Sequence, residues 1–330
     1  MHVHIIAISL FLLLSVPIAW AHTPFGSSNE NNTIANAIEF SNPTKSWTMY
    51  RELHEAQEVE YYKLHLKPGE KFQFSVSTPR SADPSFVPSA VVMWPGSANR
   101  SNIPTFVEVP AGYSATLVRG VRPPSPEYEA FTPTSYYFVV EYAQPVQREG
   151  DYYFAVYAPN SGGKYNLAVG YVEEFTVVEW LKIPFDVLNI HIWEGQSLLM
   201  ILAPLLLALI IGFPSIQNRY KLSLGLVTAL GMIAGLLDIG TGMMTLFQML
   251  LAANGATQTV MVPLTLVFAV IPLVLGVLLL RKTINHKAGW SIKDRLTLVV
   301  FGALGLVFWA GLIAGPILTM ALGLMPPRRR

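Results

Sequence analysis

The chain has 330 residues, of which 52% are hydrophobic and only 13% are charged. Because soluble domains carry roughly 25% charged residues, this composition predicts a large membrane-embedded part. The absence of cysteine excludes disulfides, thiol catalysis, and thiolate-bound zinc or iron–sulfur centres.

The two halves of the sequence differ in charge. Residues 22–194 hold 12 Lys/Arg against 19 Asp/Glu, a balance of −7, whereas residues 197–330 hold 10 against 2, a balance of +8. The basic residues of the second half sit in short loops between apolar runs. This pattern indicates membrane topology and argues against nucleic acid as a partner.

The N-terminus has the features of a secretory signal peptide. An apolar stretch from Ile5 to Ile18 ends in Ala19-Trp20-Ala21, an A-x-A cleavage pattern. The stretch is short for a bilayer span and matches the apolar core of a signal peptide. We therefore predict that residues 1–21 are removed, which leaves His22 as the mature N-terminus. The alternative is an uncleaved anchor.

Residues 22–172 are predicted to form an extracytoplasmic all-β domain. The two-residue alternation of Lys71 to Val76 places Phe72, Phe74 and Val76 on one face of a strand. Further β-branched and aromatic runs are separated by Gly- and Pro-containing turns, which is typical of a sandwich or jelly roll. The other predicted strands lie at 62–66, 115–118, 136–142, 152–157 and 165–169, with two more at 90–94 and 106–109 inside the proline-rich loops of 79–133.

Two parts of this domain carry a family resemblance. The stretch from Glu60 to Lys71, with its central Lys67-Pro68-Gly69 turn, and the two runs 149–157 and 162–169 are similar to the opening and closing hairpins of the pre-peptidase C-terminal-like domain. The resemblance implies a jelly-roll β-sandwich of the kind found on secreted and cell-surface proteins, usually as an accessory module. The motifs are turn and core positions, so they inform fold more than function.

Two sets of polar residues in this domain are expected at its surface. N-x-S/T sequons begin at Asn31 and Asn99 and are potential glycosylation sites on an exported domain. Four clustered glutamates are predicted to be solvated, or alternatively to chelate a hard cation such as calcium. They are Glu52, Glu55, Glu58 and Glu60.

Residues 173–196 change to a helical rhythm, with polar residues recurring at three- and four-residue steps from Glu179 to Asn189. We predict an amphipathic juxtamembrane helix at the outer membrane interface, kinked at Pro184. The alternative is a linker helix packed on the β-domain. Residues 197–330 are then predicted to form a bundle of about four transmembrane helices, with spans near 197–213, 222–252, 260–280 and 296–324.

The loops between these spans predict the orientation. Basic residues are concentrated in 216–221 and 281–295, whereas 253–259 carries no charge. The positive-inside rule places the first two loops in the cytoplasm and the N-terminal domain outside. Four crossings would then leave Arg328, Arg329 and Arg330 outside, against the rule. Either these arginines are tolerated there, or the last apolar run does not cross once.

The membrane region contains one acidic residue inside an apolar run, Asp238. Thr241, Thr245 and Gln248 follow at positions that share its helix face. Such a stripe can bind a proton or cation or line a path. The alternative is a polar face that bonds to neighbouring helices or to a partner subunit.

A second candidate site involves histidine. A mature N-terminal His22 would offer an amine and an imidazole, an arrangement that resembles the histidine brace of copper proteins. His54 or His65 could supply the further imidazole, and such nitrogens suit copper(II). The alternative is a disordered His22 and a solvated His54.

These features favour a membrane-anchored cell-surface binding or accessory protein over an enzyme, because no G-x-S-x-G, H-E-x-x-H, P-loop or G-x-G-x-x-G context is present. The expected location is the cell membrane, multi-pass, with the β-domain extracytoplasmic. Membrane lipid and a further membrane subunit are the expected partners. Two alternatives stay open: a copper-handling protein that uses His22, and a small transporter or channel subunit that uses Asp238.

Overall fold

The computed structural model describes residues 23–25, 30–257, 261–285 and 290–325. The predicted signal peptide, His22 and the three terminal arginines lie outside the described residues. The chain divides into two compact units, a β unit and a helical unit. The β unit comprises Met1–Glu127, Ser135–Phe175 and Gly255–Thr257, and the helical unit comprises Tyr128–Thr134, Thr176–Asn254 and Gln258–Arg330.

The predicted fold class is confirmed. Within the described residues, two mixed six-stranded sheets have the orders β1-β3-β12-β5-β10-β9 and β2-β4-β11-β6-β8-β7. The strands are β1 Thr23–Pro24, β2 Ile38–Phe40, β3 Trp47–Leu53, β4 Val59–Leu66, β5 Lys71–Pro79, β6 Ser89–Pro95, β7 Arg100–Ser101, β8 Tyr113–Val118, β9 Glu127–Glu129, β10 Thr134–Pro145, β11 Gly150–Tyr157 and β12 Gly163–Val169.

One hydrophobic core joins the inner faces of the two sheets. The alternation in β5 has the predicted effect, since Phe72, Phe74 and Val76 are all buried there. Phe74 stacks on Phe154 of β11 with ring centroids 4.2 Å apart, which links one sheet to the other. Apolar side chains from both sheets therefore form the interior of a sandwich.

An ion pair with a buried carboxylate and a half-buried guanidinium lies in the β unit. The guanidinium of Arg51 donates to both carboxylate oxygens of Glu60, at 3.0 and 2.6 Å. The hydroxyls of Tyr62 and Tyr165 also donate to Glu60, and Asn31 accepts a hydrogen bond from Arg51 at 2.8 Å. Glu60 was predicted to be solvated, but its carboxylate is buried because these donors satisfy it.

Two further predictions, one of a strand and one of a glycosylation site, are corrected. Residues 106–109 do not form a strand; Val107 is buried in a cluster on a second face of β6 and β11, where it packs near Met93 and Tyr157. Asn31 is only 2% exposed, and its amide donates to the carbonyl of Tyr61, so this sequon is closed to glycosylation in the folded protein. Asn99 is exposed, as expected.

The helical unit contains six α-helices within the described residues. Three of them are long and apolar enough to cross a membrane: α2, α3 and α4. Helix α1 is capped by Thr176 and Glu179, and it keeps Pro184 within one helix. The helices are α1 Val177–Trp193, α2 Leu198–Tyr220, α3 Leu226–Ala253, α4 Val262–Ile284, α5 Ile292–Val307 and α6 Ala314–Leu324.

The last apolar run is not one continuous helix. Helices α5 and α6 are bent by 114° at a break, where Trp309, Leu312 and Ile313 have positive φ. Arg295, in the first turn of α5, donates to the carbonyls of Gly323 and Leu324 at 2.9 and 3.1 Å. The start of α5 therefore meets the end of α6, and the two helices form a hairpin with its tip at 308–313.

Candidate functional site

A cavity of about 50 Å³ lies among the helices of the helical unit. Thr241, Thr245 and Gln248 line it, so three of the four residues predicted to share a polar face of α3 border one space. The hydroxyls of Thr241 and Thr245 donate to the carbonyls of Leu237 and Thr241, at 2.9 and 3.1 Å. Their oxygen lone pairs are left to accept further hydrogen bonds.

Gln248 is held in place by a reciprocal pair of hydrogen bonds. Its side-chain amide donates to Gln196 at 2.9 Å and accepts from the amide of Gln196 at 3.0 Å. Two complementary bonds use one donor and one acceptor on each side chain. Gln248 thus forms a satisfied polar end of the cavity, with its orientation fixed.

His191 of α1 also lines the cavity, and sequence reasoning missed it. The residue is 1% exposed, and its Nε2 has no hydrogen-bond partner among the described residues. Its Nδ1 lies 3.4 Å from a carboxylate oxygen of Glu194. A buried polar atom without a partner is uncommon and requires an explanation, such as an ordered water or a ligand.

An aromatic wall closes another side of the cavity. It consists of Phe131, Phe268, Phe308 and Trp309, with Trp309 stacked on Phe268 at 4.6 Å between centroids. Within the described part of the chain, the buried Nε1 of Trp309 also lacks a hydrogen-bond partner. Trp309 lies in the unwound tip of the α5–α6 hairpin, so an irregular segment contributes to this site.

The segment Tyr128–Thr134 belongs to the helical unit, although its first residues lie in β9 and its last residue begins β10. The Tyr128 hydroxyl donates to Thr265 of α4 at 2.8 Å, and Thr265 donates to the carbonyl of Ala130 at 2.8 Å. Burial raises the pKa of Tyr128 to about 12, so its hydroxyl stays a donor at neutral pH. This bond holds the segment that supplies Ala130 and Phe131 to the cavity.

Asp238 lies one helical turn before Thr241 and faces the hairpin. It is 4% exposed, and its Oδ1 makes no hydrogen bond to any described residue. A Cβ built on Gly315 would lie 2.1 Å from this oxygen, and one built on Gly311 would lie 2.8 Å from it. Gly311 and Gly315, which have no side chain, therefore allow the hairpin backbone to approach the carboxyl group.

A second candidate site is an open cleft in the β unit, with a volume of about 420 Å³. Trp94 and Tyr142 are half-buried in it, and Arg148, Gln144 and Gln147 are exposed at its edge. Phe72 supports Tyr142 edge-on with ring centroids 5.3 Å apart. The cleft thus combines supported aromatic side chains with amide and guanidinium donors.

The residues predicted to bind copper have carboxylate neighbours. His65 of β4 lies 2.8 Å from Asp151 and 3.5 Å from Glu149, and the hydrogen bond to Asp151 is the main cause of its raised pKa. His54 is exposed beside Glu58 at 3.4 Å. No group of three His, Asp or Glu side chains suited to a metal occurs in residues 23–25, 30–257, 261–285 and 290–325. With His22 outside these ranges, the copper hypothesis stays a prediction.

Comparison with known proteins does not assign the chain to a family. No protein-family model matches the chain, and no curated protein matches it.

Proposed function

We propose that this protein is a membrane-anchored cell-surface binding or accessory protein, in which the β unit recognises a ligand outside the cytoplasm and the helical unit anchors it. The cleft beside Trp94 and Tyr142 carries this proposal, because pockets that combine apolar walls with a few polar groups are typical ligand sites. We also propose that the β unit belongs with the pre-peptidase C-terminal-like modules. Its two six-stranded sheets support that resemblance.

The orientation is supported by charge and by one connection. Arg219 and Lys221 lie at the end of α2, and Arg281 and Lys282 lie at the end of α4, which favours the cytoplasm for both ends. The connection between α3 and α4 carries no charge, and its Thr257 donates a backbone hydrogen bond to Pro126 within the β unit at 2.8 Å. Both features support an extracytoplasmic β unit.

The α5–α6 hairpin removes the conflict over the terminal arginines. If the hairpin enters the membrane and returns, its two ends share the cytoplasmic side, and residues 328–330 follow the positive-inside rule. The bonds from Arg295 to Gly323 and Leu324 support a re-entrant hairpin over a fourth crossing. We propose three spans and one re-entrant hairpin.

The chemistry of the cleft favours a sugar ring as the ligand. A sugar presents an apolar face of C–H groups that can lie on an aromatic ring, and hydroxyl groups at its edge. Trp94 and Tyr142 match the first feature, and the side chains of Gln144, Gln147 and Arg148 match the second. The lining is too polar for a lipid tail.

The test is titration calorimetry of the full chain in nanodiscs with a panel of short neutral oligosaccharides. We expect Trp94→Ala to weaken binding of a recognised oligosaccharide about 10-fold or more, because truncation of a central aromatic contact typically costs more than 1 kcal/mol. Tyr113→Ala is the control, since it removes a half-buried aromatic side chain outside the cleft. Binding by no member of the panel, or equal binding by Trp94→Ala, would contradict the proposal.

A further inference from the structure

The tip of the α5–α6 hairpin places irregular backbone against the middle of a membrane-spanning helix. Gly311 and Gly315 contact Asp238. Asp238 lies near the middle of α3, a helix of 28 residues. Irregular backbone at membrane depth is tolerated only where protein buries it or where it borders a polar cavity. Here the first condition holds, because Ala310 and Gly311 of the tip are buried. Trp309 and Leu312 of the tip also line the 50 Å³ cavity.

The surroundings of Asp238 do not neutralise a negative charge. Its Oδ1 faces glycine backbone and has no hydrogen-bond donor among the described residues. A buried ionised carboxylate without a partner costs many kcal/mol, so such a group takes up a proton instead. The close approach of Gly315 also leaves no room for a metal ion between this oxygen and the hairpin.

The titratable groups on the elements around Asp238 lie at helix ends or on α1. Helix α6 and the hairpin tip hold no titratable side chain, and Asp238 is the only one in α3. On the neighbouring helices such groups lie at the cytoplasmic ends, or on α1, where His191 lines the cavity with Glu194 beside it. The groups at the helix ends are Arg219, Tyr220, Arg281, Lys282, Lys293, Asp294 and Arg295, and those on α1 are Glu179, Lys182, Asp186 and His191.

The adjoining cavity provides a place for water. At roughly 10–15 Å³ for each water, it has room for about three to five molecules. The unpartnered Nε2 of His191 and Nε1 of Trp309 can bond to such water, as can the hydroxyl oxygen of Thr241. Thr241 lies one turn from Asp238, which makes it the lining residue of α3 nearest to the carboxyl group along the chain.

We propose that Asp238 is a reversible proton-binding site at the tip of a re-entrant hairpin. In the protonated state the neutral carboxyl group packs against Gly311 and Gly315. On release, its O–H bond breaks, the proton passes to cavity water, and the carboxylate turns toward that water and withdraws from the glycines. The hairpin tip is thus the element whose packing depends on proton occupancy. The proposal does not depend on ligand binding by the β unit.

Infrared difference spectroscopy of the full chain in nanodiscs tests this directly. We expect a protonated-carboxyl C=O band that decreases as the pH is raised across the range in which the protein stays folded. Asp238→Asn should abolish this band, and Glu194→Gln, which removes the carboxylate beside His191, should retain it. A band that Asp238→Asn does not remove, or one that stays constant over the whole range, would overturn the proposal.

A second variant tests the role of the hairpin. Gly315→Ala places a methyl group 2.1 Å from the present position of Oδ1, which forces the carboxyl group away from the tip. We expect the C=O band to move to the frequency of a hydrated carboxyl group and to titrate at lower pH than in the wild type. Gly225→Ala is the control, because a Cβ there meets no atom within 4 Å. An unchanged band in a folded Gly315→Ala protein would overturn the coupling to the hairpin, and Asp238→Asn still tests the proton site if Gly315→Ala does not fold.

Discussion

The two units treat buried ionisable groups in opposite ways. In the β unit, Glu60 receives hydrogen bonds from Arg51 and from two tyrosines, so its charge is fully compensated. In the helical unit, Asp238 and His191 each keep a buried atom without a partner among the described residues. A compensated cluster holds the fold together, whereas uncompensated groups beside a cavity are free to bind a proton or a ligand.

The largest expected effect concerns Glu60. Replacement by Gln removes the carboxylate that pairs with the half-buried guanidinium of Arg51, and breaking a buried pair costs about 3–5 kcal/mol. We expect a large loss of unfolding free energy for the β unit, measured by chemical denaturation of the full chain in detergent. The half-exposed Lys63 pairs with Glu39 and Asp151 at 3.3 and 3.1 Å, and Lys63→Met should cost about 0–1 kcal/mol. Equal losses of unfolding free energy in Glu60→Gln and Lys63→Met would contradict a larger contribution from the Arg51–Glu60 pair.

Asp238→Asn is the matching experiment in the helical unit. Because the amide is close in shape to a neutral carboxyl group, we expect a change in stability of under about 1 kcal/mol, far below the 3–5 kcal/mol typical of a broken buried pair. Denaturation in the same detergent, followed by the fluorescence of the helical unit, measures it. A loss as large as that in Glu60→Gln would mean that Asp238 is ionised and paired.

The smallest effect concerns the exposed network at His65. Its hydrogen bond to Asp151 raises the pKa of His65. The stability that this bond contributes is therefore fully present below the ordinary pKa of 6.5 and is lost as pH rises through the folded-state pKa. For Asp151 burial opposes the shift, but hydrogen bonds from His65 and Lys63 lower its pKa. Its contribution is therefore present above 3.8 and lost as pH falls through the depressed value.

Thermal unfolding at several pH values tests this. The wild type should unfold at a higher temperature than His65→Gln at low pH, and this difference should shrink as the pH rises from about 6.5 toward alkaline values. His54→Gln controls for removal of an exposed imidazole. Parallel pH profiles for the wild type and His65→Gln would contradict the interpretation.

The sequence predicts the strands best where alternation reflects burial on one face, as in β5. It fails at 106–109 because these residues pack onto a sheet built from distant strands, which no local pattern encodes. It fails at Glu60 for the same reason, since Arg51, Tyr62 and Tyr165 converge on it only in the folded sandwich.

In the membrane region, Asp238 is recognisable because it is an acid inside an apolar run. His191 is not, because it lies in an amphipathic segment where one imidazole adds little to the pattern. The hairpin tip contains no proline or charged residue; residues such as Leu312 and Ile313 adopt positive φ only because tertiary packing imposes it. The resulting cavity depends on six separate segments of the chain: 128–134, the hairpin tip, and one stretch from each of the first four helices.

Because the chain has no cysteine, single introduced cysteines can report the membrane side of each unit in intact cells. With a membrane-impermeant maleimide, Ser97→Cys in the β unit should be labelled. Ser223→Cys between α2 and α3 and Leu324→Cys at the end of the hairpin should react only after the cells are permeabilised. Labelling of Ser223→Cys but not Ser97→Cys in intact cells would contradict the export of the β unit, and labelling of Leu324→Cys would contradict the re-entrant hairpin.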